Sequence, residues 1–319
     1  MSKYIVQRLV LSVPTILGLT VVVFFLIRAL VPVDMVDVAT SQTGGRDLVN
    51  ELRLKQEYGL TGSLPSQYVR WLGRVATGDM GRSFFTGRQV TEDLFHRIPT
   101  SVELGFGSLA ITLLFGIPIG LLSAIKQDSV PDYVARGGAI LLFAVPGFWL
   151  ATLVLVFGSM LFGWASAIDF EPLWVDPAAN LKQMAVPMVL MGLSPAGSLI
   201  RLVRTQVLEV IRQDYVRTAF AKGLAPRDVY VRHVLRNSML PIVTVVGLQL
   251  PRLITGTVIF EQIFVLPGVG QYLVEAVTRL DIYVLMVTNL FFGTTLVLSN
   301  LVVDVSYALI DPRIRLAGR

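Results

Sequence analysis

Few residues in this chain carry groups able to do chemistry inside an apolar environment. The first is Arg252, which sits well inside an otherwise uncharged run, 237–260. A charge at membrane depth is costly and marks a solute route, a proton relay or a counter-ion pair. Glu261 follows nine residues later, about 180° away round a straight helix, so the two cannot pair on one helix face. Arg252 must then face another helix or a water-filled route, and Arg252 and Glu261 are both candidates for a translocation pathway. Arg28 reads as an anchor at the outer interface, and Asp304 as a group at the cytoplasmic end of the last span. His96 and His233 fall on opposite sides of the topology derived below, which leaves no metal site between them. The sequence contains no G-x-x-x-x-G-K-[ST] loop, no G-x-G-x-x-G after a strand and no H-E-x-x-H. The residues therefore imply no catalytic group and no cofactor bound by this chain. If ATP powers it, the nucleotide sits on another polypeptide.

The elements that position these residues follow from composition. Hydrophobic residues make up 54% of the 319 and charged residues only 15%. A soluble domain of this size carries about 25% charged residues, so much of this surface must face lipid. The net charge of +5 does not point to nucleic acid, because the positive residues collect in loops between apolar stretches. With no cysteine, neither a disulfide framework nor a thiolate metal site exists.

Uncharged runs at 9–27, 104–125, 137–168, 183–200 and 282–303, with the Arg252-interrupted run 237–260, predict six spans. The 137–168 run is too short for two crossings of about 20 residues each, so it reads as one helix ending near Gly163. The first run exceeds a signal peptide's apolar core and reads as a retained helix. The segments 1–8, 126–136, 201–238 and 304–319 hold 2, 2, 8 and 3 Lys/Arg, against one each in 164–182 and 261–281. That asymmetry predicts cytoplasmic termini. The long 31–99 segment then lies outside, with a helix expected near 65–75. Gly116 and Gly120, in a G-x-x-x-G spacing, read as a helix-contact face, because lipid gives helices no hydrophobic reason to associate and small residues let them approach. Pro118, Pro146, Pro187 and Pro195 suit helices that break beside protein or a cavity.

The cytoplasmic segment 201–238 carries eight Lys/Arg and three acids. It stops at Gly223 and restarts at Ala225–Pro226, the residue types that end and begin helices. The expectation is two amphipathic helices joined by a tight turn. Ala219, Phe220, Leu224 and Ala225 would form an exposed apolar tip, flanked by Arg217, Lys222 and Arg227. A basic loop that only sets topology needs no such tip, whereas a helix docking in a partner's groove does.

Arg217-Thr218-Ala219, then Gly223, then Leu240-Pro241 resembles the EAA loop of the permeases of binding-protein-dependent ABC importers. Arg217 and Thr218 replace that motif's Glu and Ala. The form YVRTAFAKGL with RHVLRNSMLP is similar to the dipeptide, oligopeptide and nickel branch. Stretches at 57–84, 96–105, 145–151, 260–284 and 303–315 resemble the B-type subunit of that branch, in order, across most of the chain.

The resemblance implies an all-α polytopic membrane protein of the type I importer permease fold, six spans and both termini cytoplasmic. Its parts would be 1–30, the N-terminus and first span; 31–99, extracytoplasmic; and 100–319, a five-helix core that includes 201–238. It implies as partners a second, C-type permease, two cytoplasmic ABC ATPases that bind ATP and Mg, and an extracytoplasmic substrate-binding protein, all assembled in the inner membrane. Coupling to an ATPase would pass through Arg217, Thr218, Ala219, Phe220, Lys222, Gly223, Leu224, Ala225 and Arg227. Segment 31–99 would dock the binding protein or cap the bundle. The competing class is a stand-alone secondary transporter or channel, which predicts inverted repeats and paired broken helices; no internal repeat is visible.

Overall fold

The computed structural model describes residues 2–30, 56, 59, 61–164, 169–249 and 251–310. It is helical, and among the described residues the only strand-like pairing is an isolated bridge, Arg82 to Gln89. In chain order the helices are α1 (Ser2–Leu30), α2 (Leu64–Ala76), α3 (Val90–Ile125), α4 (Val130–Ala144), α5 (Gly147–Phe162), α6 (Pro177–Ile211) and α7 (Asp214–Ala221). There follow α8 (Pro226–Asp228), which widens into a π-helical stretch at Val229–Leu235, then α9 (Arg236–Gly247), α10 (Arg252–Thr255), α11 (Val258–Phe264), α12 (Val269–Arg279) and α13 (Ile282–Ile310). The helix expected near 65–75 is α2, with Pro65 in its first turn, where a missing N–H costs no bond.

Among the described residues four helical stretches are long and apolar enough to cross a membrane: Arg8–Ala29, Val90–Ile125, Pro177–Ile211 and Ile282–Val303. A fifth exists if the bent pair α4–α5 is one span. The 137–168 run is therefore not one helix ending near Gly163. It breaks at Val145–Pro146, and α4 and α5 lie at 91°. Pro146 supplies no N–H to the ladder and pushes the preceding Val145 into the extended region, at ψ 121°. Gly163 does close α5, in the left-handed conformation at φ 62°.

The 237–260 run is also not a single helix. It is divided among α9, α10 and α11, with Pro251 at one break and Gly256–Thr257 at the other. Arg252 and Glu261 thus belong to different helices, and the straight-helix angle between them does not apply.

The chain divides into two compact units, Met1–Pro99 with Pro267–Leu301 and Thr100–Leu266 with Val302–Arg319. In the first, Phe24 of α1, Trp71 of α2, Val90 and Leu94 of α3, Tyr272 of α12 and Met286 of α13 share one core. Arg28 belongs to this buried layer. It is only 7% exposed, and its guanidinium lies 5.6 Å from the Phe24 ring centre, so it packs against the protein rather than extending from it. Asp281 ties the 79–89 loop to the start of α13. Its carboxylate accepts from the Ser83 hydroxyl at 2.6 Å, the Phe84 amide at 3.1 Å and the Val284 amide at 3.4 Å.

Burial outweighs these donors and holds the Asp281 carboxyl above its ordinary value. The folded unit takes up this proton more readily than the unfolded chain does. The group's contribution to stability is therefore fully present below the ordinary carboxylate value and is lost as pH rises through the raised one. Asp281→Asn is expected to flatten that part of the pH profile of thermal melting. An identical slope in the variant would show that Asp281 does not contribute it.

The second unit centres on α6. Gly192 lets α6 approach α3 until a Cβ there would stand 2.5 Å from the Ser108 carbonyl oxygen. Across the G-x-x-x-G pair, Gly116 faces Leu199 and Gly120 faces Val203, both on α6. A second lock is polar. Asp132, at the start of α4 and wholly buried, accepts from Arg204 Nε at 2.7 Å and Nη2 at 2.8 Å. It also accepts from Ser123 Oγ at 2.5 Å and the Asp128 amide at 3.0 Å. All the acceptor capacity that a buried carboxylate needs to fill is filled.

Candidate functional site

Segment 201–238 is built as follows. Helix α6 runs on to Ile211, and after two residues α7 begins at Asp214. Val216 and Ala219 of α7, one turn apart, turn inward and join Val203, Val207, Val229, Val234 and Ile242 in one core. Ala219 is 7% exposed and so is not part of the exposed tip; its spacing from Val216 puts it on the buried face.

Helix α7 then ends in a glycine cap. Gly223 is left-handed at φ 79°, its amide donates to Phe220 O at 2.9 Å, and the Leu224 amide reaches back to Ala219 O at 3.4 Å. These two bonds satisfy carbonyls that the helix end leaves open, the pattern of a Schellman cap. Ala225 is extended at ψ 138°, as the residue before a proline must be, and Pro226 opens the next helix.

What remains outside is a short apolar tip on a fixed frame. Phe220 is 38% exposed and Leu224 42%. Arg217, Thr218, Lys222, Ala225 and Arg227 are exposed around them. The frame is held by Phe220 packing edge-to-face on Tyr230 at 5.9 Å, and by Asn237 Nδ2 donating to the Tyr215 hydroxyl at 3.1 Å and to His233 O at 2.6 Å. The Arg217–Asp214 pair, at 3.8 Å, is exposed on both sides and contributes little. The π-helical stretch that follows inserts an extra residue per turn and shifts the face that α9 presents.

The two pathway candidates are placed differently. Arg252 opens α10, and its side chain lies outside the described residues. Glu261 on α11 is wholly buried and accepts from Ser101 Oγ of α3 at 2.7 Å. The two stand at the starts of successive short helices, Arg252 on α10 and Glu261 on α11. The Asp132–Arg204 pair escapes sequence reasoning, because nothing local links positions 72 residues apart. The one available signal was an acid just after Ser129 and Pro131 at a helix start, a position that favours negative charge.

Residues 116–316 match the family described as the inner membrane component of binding-protein-dependent transport systems. Residues 1–105 match the N-terminal part of such membrane components. An oligopeptide transport system permease of Bacillus subtilis is 33% identical, over 98% of this chain and 99% of its own length. A dipeptide transport system permease of Escherichia coli is also 33% identical, over 99% of both chains. A putative peptide transport system permease of Brucella abortus is 34% identical, again over 99% of both. The exposed, capped turn, the apolar helices and the full-length similarity converge: the chain belongs to the family of binding-protein-dependent transport system inner membrane components.

Proposed function

We propose that this chain is one of two permeases in an ABC importer that moves peptides or related small solutes inward across the cytoplasmic membrane. ATP and Mg are bound, and the ATP hydrolysed, on two partner ATPases, a C-type permease forms the other half of the pathway, and an extracytoplasmic binding protein delivers the solute. The observation that carries this reading is the exposed Phe220–Leu224 tip, held on a buried frame and ringed by Arg217, Lys222 and Arg227. A small apolar knob on a stiff helical mount suits insertion into a groove of a partner protein.

In this reading both termini and 201–238 are cytoplasmic and there are six spans. The four long helices and the α4–α5 pair supply five. The interrupted series α9, α10 and α11 supplies the sixth, a broken span of the kind tolerated where backbone lines protein or a cavity. Segment 31–99 faces outward and receives the binding protein. ATP-driven closure of the ATPases moves the tip and switches the pathway between its two faces.

Copurification tests the assembly. Expressed from its own operon, the tagged chain is expected to bring down two ATPase polypeptides and a second permease in fixed ratio. Recovery of this chain alone, still active in moving solute, would establish a stand-alone transporter or channel instead.

A further inference from the structure

The second unit contains a cavity of about 420 Å³, with no charged residue among the described residues of its lining. That volume lies in the range of small-molecule sites, about 300–1,000 Å³. Its polar groups are concentrated and unspent. Ser194 and Ser198 on α6 and Gln249 at the end of α9 line it, and among the described residues none of these side chains has a hydrogen-bond partner. Ser108 and Thr112 on α3 also line it, but their hydroxyls donate to the Gly105, Ser108 and Gly192 carbonyls.

One backbone defect adjoins the same space. Pro195, which lines the cavity, has no N–H, so the Met191 carbonyl one turn earlier loses its helical partner on that face. Opposite it, α9 ends at Gly247, and the Leu248 and Gln249 amides close the turn on the Thr244 and Val246 carbonyls. At one rim Phe143 lines the cavity, and the Arg201 guanidinium lies 4.6 Å from its ring centre. Arg201 follows Ser198 by three residues, so Ser194, Ser198 and Arg201 form one stripe along α6.

We propose that this stripe, with Gln249, is a transit subsite for the main chain of a short peptide, its amides taken by Ser194, Ser198, Gln249 and the Met191 carbonyl and its carboxylate by Arg201. The peptide class rests on the function proposed above; the location rests on the cavity alone. Dimensions fit. Ser194 to Arg201 spans seven residues of helix, about 10 Å, and three extended peptide residues span about the same. Hydroxyls, an amide and a carbonyl recognise backbone and ignore side chains. A path that follows an already selective binding protein needs that tolerance.

The chain has no cysteine, so single Cys variants report directly on this site. Ser194→Cys, Ser198→Cys and Gln249→Cys would be placed in the full complex in nanodiscs and treated with a small water-soluble methanethiosulfonate. Gln127→Cys on the exposed α3–α4 connection serves as control. The three cavity cysteines are expected to label. Under ATP turnover with binding protein loaded with dialanine or trialanine, at least two should slow about tenfold while the control stays constant, as occupancy near saturation requires. Labelling that dialanine and trialanine leave unchanged, or three cysteines that never react, overturns the subsite. Peptide uptake by vesicles of the same complex separates the two readings. A complex that imports peptide without protecting the cysteines overturns only the subsite, and one that imports no peptide overturns the peptide function and the subsite with it.

Discussion

Gly223→Pro is expected to remove most of the stimulation of ATP hydrolysis by loaded binding protein, while membrane insertion of the chain stays normal. Gly223 stands at φ 79°, and a proline ring fixes φ near −65°. The substitution also deletes the amide that donates to Phe220 O. The cap therefore opens, and the tip loses its position. A coupling free energy of about 1–3 kcal/mol corresponds to about 5- to 150-fold in stimulation, and its loss should be read on that scale.

Leu224→Asp separates docking from folding. Leu224 is 42% exposed and belongs to no core cluster, so a carboxylate there leaves the frame intact. It would place a charge in the partner's apolar groove and should uncouple as strongly. Phe220→Asp acts in the same direction but also removes the contact with Tyr230. Full stimulation by Leu224→Asp in a reconstituted complex would end the assignment of this turn as the coupling element.

The second large effect is expected at Arg204. Arg204→Met leaves the Asp132 carboxylate buried with its two charge-assisted donors gone, since Nε and Nη2 both bind it. Stranding one partner of a buried pair costs about 3–5 kcal/mol. For a chain of this size the melting temperature of the solubilised complex should fall by about 10 °C. The double variant Asp132→Ala with Arg204→Met should cost clearly less than the sum of the two single changes, because no charge is then left uncompensated. Strict additivity would mean that the two groups act independently.

Much of this could be seen in the order of residues. The long uncharged runs located four helices, and Gly223 with Pro226 located the turn, because caps and breakers act through local backbone geometry. Pro146 stood among four prolines that suit broken helices, yet Pro187 and Pro195 of the same set leave α6 continuous, and Pro251 was not singled out. A proline inside an apolar run either kinks a helix or divides it, and the packing around it decides. Ala219 was misplaced because a tip was drawn from hydrophobicity alone, whereas its spacing from Val216 turns it inward. The bonds from Ser101 to Glu261 and from Arg204 to Asp132 span 160 and 72 residues. No local pattern encodes such contacts.

Between Pro195 and Ile211, α6 contains no further proline, so this stretch behaves as a stiff rod. The clamp of Arg204 on Asp132 holds the rod at an interior point. Ser198 lies six residues to one side of it and Ile211 seven to the other, about 9 and 10 Å at the rise of a helix. On the Ser198 side the rod is also seated on α3, through Leu199 against Gly116 and Val203 against Gly120. The Ile211 end, where α7 attaches, is thus the free end of a beam anchored along its other half.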